Sequence, residues 1–363
     1  MDLPRKSLLS RTSREIIALC RFFLVSLGLL LSLTGTSQAQ ELKMSDFVLF
    51  SGAGGPGTSP VVSPGYAVQL GSTSNIQGGS IGSLRLVQST GNLNISGNIF
   101  SQGKIVLANG NTVTGNISAS NLPAVTGTIF SAGSNANLGL SAANTINVNG
   151  AVVVGGGTVM STVTSTSYTG PTPAGGQVTG IPSLPTFPTL PAITNFEDYA
   201  NTPDITKTAV ITKGSHGSIK LSGNQTLTFK GTGVYVLNQI DNKNSNTFVF
   251  DFENDPTGSF LIYVHNNVDL EKLNVSVIGG GGASRIFTEV HGTGLGTEKY
   301  AFNMANGSPG GTKSRWEGTV WAPFAAINVG SGTGSSDITG ALWSGTQVNV
   351  QSGVNIFYVP FEG

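Results

Sequence analysis

The sequence predicts an all-β solenoid, a β-helix with Gly/Asn-rich turns, one short helix and a proline-rich strut alongside. Three observations predict it. First, 51 glycines and only 10% charged residues accompany 38% apolar content, which is enough apolar surface to offset ordering entropy, as a disordered chain cannot. Second, the apolar residues come in runs of three to five closed by Gly, Asn or Ser, as in Leu84-Arg-Leu-Val87, Ile105-Val-Leu107 and Ala151-Val-Val-Val154. Such runs lack the 3.6-residue period of a helix, and Asn144-Thr-Ile-Asn-Val-Asn149 alternates as a half-buried strand does. Third, the form Gly, any residue, Ile/Val/Leu, aromatic, small recurs after Gly97, Gly127, Gly318 and Gly340, with a version lacking the aromatic after Gly115. Neighbouring copies are spaced as the coils of a stacked-strand solenoid would be. Glycine fits the corners because it reaches positive φ without steric cost. A β-sandwich with Gly-rich hairpins is the competing architecture.

Residues 1–39 are read as a secretory signal peptide. Arg5, Lys6, Arg11, Arg14 and Arg21 form a basic n-region, an apolar run of about 12 residues follows from Phe22, and Ser37-Gln-Ala39 places cleavage after Ala39. The run is too short to cross a bilayer, which takes about 20 residues, so an uncleaved anchor is the lesser reading. Cys20 falls inside this leader, so the mature chain has no disulfide, thiolate metal site or cysteine nucleophile. The leader takes five of the 18 Lys/Arg and two of the 18 Asp/Glu, leaving a net charge of −3. With no basic cluster, neither a nucleic-acid partner nor an anionic membrane surface is expected, and the mature chain has no membrane span. A secreted or cell-surface location follows.

The mature chain divides into N-terminal coils over 40–169, a proline-rich segment over 170–193 and C-terminal coils over 194–363, expected to form one continuous unit. Pro182, Pro185, Pro188 and Pro191 recur at the polyproline II period, with Leu184, Phe187 and Leu190 on a second face. That apolar stripe suits a strut lying along the solenoid; a plain interlobe linker is the alternative. Thr194-Asn-Phe-Glu197 has capping-box spacing and predicts the short helix.

The segments Gly231-Thr-Gly-Val-Tyr-Val-Leu-Asn238, Ser259-Phe-Leu-Ile-Tyr-Val264, Trp316-Glu-Gly-Thr-Val-Trp-Ala-Pro-Phe-Ala-Ala-Ile-Asn-Val329, Ile338-Thr-Gly-Ala-Leu-Trp-Ser344 and the ending Tyr358-Val-Pro-Phe-Glu-Gly363 resemble the choice-of-anchor A family of exported bacterial adhesive domains. The resemblance implies a β-solenoid related to ice-binding-like domains and carried on varied surface anchors. No apolar helix, stop-transfer tail or sorting motif follows Gly363, so release, or retention by another protein, is expected.

Candidate chemistry is sparse. Asp251, Glu253 and Asp255 imitate the start of a calcium loop, but the glycine is misplaced and Ile262 stands where the closing Glu belongs; a turn after a strand is the plainer reading. His216, His265 and His291 lack metal-ligand spacing. Asp241, Asp269, Glu271 and Asp337 sit in turns without visible clustering, which disfavours paired-carboxylate glycan cleavage. No catalytic residue, cofactor or metal is assigned. Trp316, Trp321 and Trp343 are the candidate surface or structural aromatics, with core packing as the alternative. Gly97, Gly115, Gly127, Gly318 and Gly340 are the candidate coil glycines. The expected function is non-catalytic adhesion to surface glycans, matrix proteins or other surface proteins through broad polar faces. Ice binding by a flat Thr/small-residue face is the first alternative, although Thr158 to Thr169 and Thr226 to Thr228 do not repeat at one offset. A polysaccharide-active β-helix enzyme is the second.

Overall fold

Short apolar runs separated by turns cannot bury their side chains alone, so they stack. In the computed structural model, which describes residues 40–54, 66–198, 202–294 and 300–363, they form three parallel sheets of 15, 12 and 8 strands. All the described ladders are parallel, as in a β-solenoid, and the hairpin sandwich is excluded. The two helical segments among the described residues are 3-10 turns at Met44–Asp46 and Ala283–Arg285. Gln40–Gly363 makes one compact unit; the signal-peptide reading lies outside the described residues.

The stacking order is not the order of the sequence. On the first face, coils build outward from Phe47–Ser51 through Ser80–Ser83, Ile99–Ser101, Ile117–Ala119, Thr145–Val148 and Thr162–Ser165 to Gln177–Thr179. The C-terminal half starts at the opposite end and builds inward, through Phe260–Val264, Ile286–Val290 and Thr319–Ala322, until Leu342–Ser344 closes against Phe47–Ser51. The last coil therefore sits on the first, on all three faces: Leu49 is in register with Leu342, Val68 with Val348 and Ile76 with Ile356.

Register explains the composition. One inward ladder runs Val163, Ile146, Ile117, Ile99, Ile81, Leu49, Leu342, Val320 without a break. A second runs Val152, Phe130, Ile105, Val87, Val68, Val348, Ile327, Phe302. These side chains are buried in one core cluster. At the corner after the first face, Ser51, Ser83 and Ser344 are fully buried. Ser51 donates to Ser83 Oγ at 2.7 Å, and Ser83 Oγ accepts the Arg85 and Leu86 N–H groups at 3.0 Å each, satisfying the turn without a bulky side chain.

The proline-rich segment lies along the first face, as the strut reading expects. Leu42 N–H donates to the Thr186 carbonyl at 3.0 Å and Thr186 N–H to that of Gln40 at 2.9 Å. Phe187 and Leu190 pack on a second apolar cluster of Leu42, Phe47, Phe50, Phe100, Trp321 and Trp343. The N-terminal stack runs further than the sequence suggested, since Gln177–Thr179 still pairs with Thr162–Ser165. The predicted helix is not formed over 194–198, and its last residues, 199–201, lie outside the described set. Tertiary partners outweigh the capping-box spacing there. Thr194 N–H donates to Glu289 Oε1 at 2.8 Å, and Phe196 stacks on Tyr263 with centroids 5.0 Å apart.

Two of the coil glycines serve close approach rather than positive φ. A Cβ on Gly97 would land on the Gly79 carbonyl oxygen, and one on Gly115 would meet the Gly97 carbonyl. Gly318 and Gly340 form a second column of close approach, and both are also at positive φ, +108° and +144°. Gly127 does not belong to this series. Its strand, Thr128–Ala132, belongs to the second face, because a glycine before a buried aromatic strand suits more than one corner. Gly127 has φ +89° and open space where a Cβ would go. Gly97→Ala will therefore lower stability by about 3 kcal/mol, since a backbone carbonyl cannot move aside. Gly127→Ala will cost about 1 kcal/mol of conformational strain. Thermal melts of the two variants check the difference.

Candidate functional site

The third face is the broad polar wall. Its inward ladder is Trp316, Ile338, Ile356, Ile76, Ile95, Val113, Leu138, Val159, and one position before each lies an outward row: Arg315, Asp337, Asn355, Asn75, Asn94, Thr112, Asn137, Thr158. Because adjacent strands are about 4.8 Å apart, a side chain recurs at that interval along the wall. The row is exposed or half-buried throughout. Its charged end is internally tied: Lys313 Nζ bonds both Asp337 oxygens at 2.8 and 3.0 Å, and Asn355 Nδ2 donates to Asp337 Oδ1 at 2.8 Å. The uncharged part spans five successive coils from Asn75 to Thr158. This regularity is hidden in the sequence, where the steps between row members vary with loop length.

A second outward row begins with Glu317, Thr339 and Phe357. Burial raises the Glu317 pKa above the ordinary carboxylate value, against a donated Thr339 hydroxyl bond and the charge of Arg315. A carboxyl with a raised folded pKa binds its proton more tightly in the folded state, so its contribution is lost as pH rises through that value. Glu317→Gln is expected to be more stable than the native chain at pH 7 and to lose that advantage near pH 4, as measured by urea denaturation.

Beyond Ser314–Glu317 the third face loses its backbone ladder. The wall continues as Leu273–Ile278, Asn246–Asp251 and the first half of Thr226–Leu237, which pair with one another. Leu273–Ile278 lies beside Ser314–Glu317 without hydrogen-bonding to it. The seam holds a groove of about 580 Å³ lined by Thr226, Thr247, Asn274, Lys272, Thr312 and Arg315 among others. Thr226, Thr247 and Asn274 are in register.

The acids disperse differently from the sequence reading. Asp241 and Asp269 are register partners on the second face, and Lys243 Nζ gathers Asp269 at 2.6 Å, Asp241 at 3.3 Å and Glu271 at 3.4 Å. They do cluster, around an ammonium. Burial works against that ammonium, but Asp269 and Asp241 outweigh it and hold its pKa above the ordinary value. An amide chain continues the network, with Asn303 donating to Asp269 at 2.8 Å and Asn328 to Asn303 at 2.7 Å. Only the coil register could have revealed this, since the residues are far apart in sequence.

Asp251, Glu253 and Asp255 do not converge as a calcium loop. Asp255 accepts the Thr232 hydroxyl at 2.8 Å and the Gly258 N–H at 3.0 Å, bonds that lower its pKa with Thr232 the largest cause. Asp251 accepts the Glu253 N–H at 3.0 Å, and Glu253 faces Lys230 at 3.4 Å. Each carboxylate serves the turn. No group of three metal-ligating side chains is present among the described residues. His265 and His291 both abut the Phe196 ring, at 4.6 and 4.4 Å.

None of the three tryptophans is a surface aromatic. Trp316 and Trp321 are 1% exposed and Trp343 6%. Trp316 points into the core against Phe302, 5.3 Å away. Trp321 and Trp343 are register partners facing outward from the first face, where the proline-rich strap covers them. The strap supplies the cover that sequence spacing could not show.

No family model matches this chain, and no curated protein matches it. Among solved structures, an ice-binding protein from an Antarctic Flavobacteriaceae bacterium aligns with 88% of this chain and 98% of its own, at 12% identity and a TM-score of 0.27. That likeness is too distant to bear on what this chain does. Among the described residues no helix is long and apolar enough to cross a membrane.

Proposed function

We propose that residues 40–363 form an exported, non-catalytic adhesion module that holds surface polysaccharide along its third face. One observation carries the reading: a single register position presents an amide, hydroxyl or charged side chain on eight successive coils, Arg315 to Thr158. Repeated donors and acceptors on a rigid wall match a repeating hydroxylated polymer, whose many weak bonds add up by avidity. A non-catalytic role is supported by the acid cluster of Asp241, Asp269 and Glu271, whose carboxylates are held by Lys243 rather than facing one another across a cleft. Export rests on the leader read in residues 1–39. Membership in the choice-of-anchor A family rests on the sequence resemblance alone. Trp316 to Ala322 and Ile338 to Ser344 build the coils that close the stack.

The test is retention of purified residues 40–363 on immobilised polysaccharides. Binding is expected to fall at least tenfold when Asn75, Asn94 and Asn137 are replaced by alanine, with the melting temperature held. Retention unaffected by those changes removes the third face, and turnover of any glycan removes the non-catalytic reading. A second reading, ice binding, is favoured by the uncharged stretch Asn75, Asn94, Thr112, Asn137, Thr158 at one offset. Thermal hysteresis at micromolar protein would put it ahead of adhesion.

A further inference from the structure

The groove at the seam of the third face differs from the rest of the wall in the sign and freedom of its charges. Lys272 and Arg315 both line it, together with Thr226, Thr247 and Asn274, and no carboxylate does. Four lysines elsewhere on the solenoid are engaged: Lys220 with Asp204 at 2.7 Å, Lys243 with three acids, Lys230 with Glu253, and Lys313 with Asp337 at 2.8 Å. Lys43, Arg85, Lys104, Lys207 and Lys213, which do not line this groove, form no ion pair among the described residues. Among the described residues neither Lys272 nor Arg315 has an ion-pair partner within salt-bridge distance. The acids nearest in sequence and register to Arg315 are accounted for. Asp337 is bonded to Lys313 and Asn355, and Glu317 accepts the Thr339 hydroxyl at 3.3 Å and feels the charge of Arg315 without reaching salt-bridge distance. Glu271, beside Lys272 in sequence, turns to Lys243.

The side chains between the two cations are only partly committed. Gln225 and Asn246 use their amides within the coils, the first toward Thr206 and the second toward Asn242 and Lys243. The Thr247 and Asn274 side chains form no hydrogen bond among the described residues. A groove with two unpaired cations, free hydroxyl and amide groups and no acid is built for an anionic, hydroxyl-rich ligand. A carboxylate is met by Arg315 as a planar fork and by Lys272 as a point charge.

We infer that this groove is the subsite that selects acidic polysaccharide, chains of carboxylated sugars, over neutral polysaccharide. The inference rests on the third-face reading above, and it adds a charge selection which that reading does not need. The third-face row meets the groove at Arg315, so one polymer chain can follow the row and place a carboxylate at the seam.

The experiment compares alginate, a polyuronate, with dextran, a neutral glucan of matched length, on residues 40–363 and on the double variant Lys272→Asn/Arg315→Gln. Asparagine suits position 272, whose φ is +50°. Alginate is expected to bind at least tenfold more tightly than dextran and to weaken as salt rises from about 0.05 to about 0.5 M, where screening shortens to a few ångströms. The double variant should lose that tenfold margin and keep its melting temperature, and Lys272→Asn alone, which leaves the third-face row intact, should narrow the margin while keeping dextran affinity. Equal binding of the two polymers by the native chain overturns the charge selection and leaves the third-face reading standing. An alginate preference that survives in the double variant overturns the groove as its location. Failure to bind either polymer overturns both readings.

Discussion

Leu342→Asp will abolish the folded state or leave it marginal. Leu342 is fully buried where the last coil meets the first, in register with both Leu49 and Val320. An aspartate there has no described cation to pair with, and it must either desolvate its charge or take up a proton. A loss of about 5 kcal/mol is the scale of an uncompensated buried charge, comparable to the whole stability of many domains. The same change at exposed Asn94, on the third face, should stay within about 0.5 kcal/mol. Urea titrations followed by circular dichroism read both. A native-like midpoint for Leu342→Asp would mean that this position is not interior.

Trp343→Ala is the second large effect, and it acts on the outer side of the same junction. The ring is part of the cluster beneath Phe187 and Leu190, and Nε1–H donates to the Phe47 carbonyl at 2.8 Å. Truncation removes the packing and orphans that carbonyl, for about 4 kcal/mol. Trp343→Phe keeps most of the apolar area and loses the hydrogen bond, for about 1 kcal/mol. The strap adds a second readout. With its seat hollowed, the segment around residues 184–194 should become cleavable by protease well below the melting temperature. Equal protease resistance in the alanine variant and the native chain would show that the strap is held elsewhere.

These two residues show what could be read in advance. That Leu342 faces inward follows from its place between Gly340 and Ser344, and the same logic holds for Ile81, Ile99 and Ile117, which succeed one another at 18-residue steps. Local turn chemistry and alternation carry that information, so the solenoid was legible. Which coil neighbours which was not. Inward strands of Ile, Val and Leu are interchangeable, and nothing near Leu49 says that its partners are Ile81 on one side and Leu342 on the other. The polar row of the third face and the acid cluster around Lys243 were hidden for that reason, since each exists only once the register is known. The tryptophans misled for a related reason: Trp321 and Trp343 do point outward, but the strap returns over them. At Thr194 the capping-box pattern was real and lost to the buried oxygen of Glu289.

The solenoid closes with its last coil lying against its first, and one cross-link tests that closure directly. Asn75 and Asn355 are register partners on adjacent strands of the third face, so their Cα atoms are about 4.8 Å apart, inside the range a disulfide spans. Residues 40–363 contain no native cysteine to interfere. Asn75→Cys/Asn355→Cys should form an intrachain disulfide on mild oxidation in dilute protein, seen as faster migration on a non-reducing gel. Asn75→Cys/Asn137→Cys, three strands apart, should not. A folded Asn75→Cys/Asn355→Cys protein that stays reduced would contradict the closure, because coils stacked in sequence order would hold those two positions at opposite ends of the molecule.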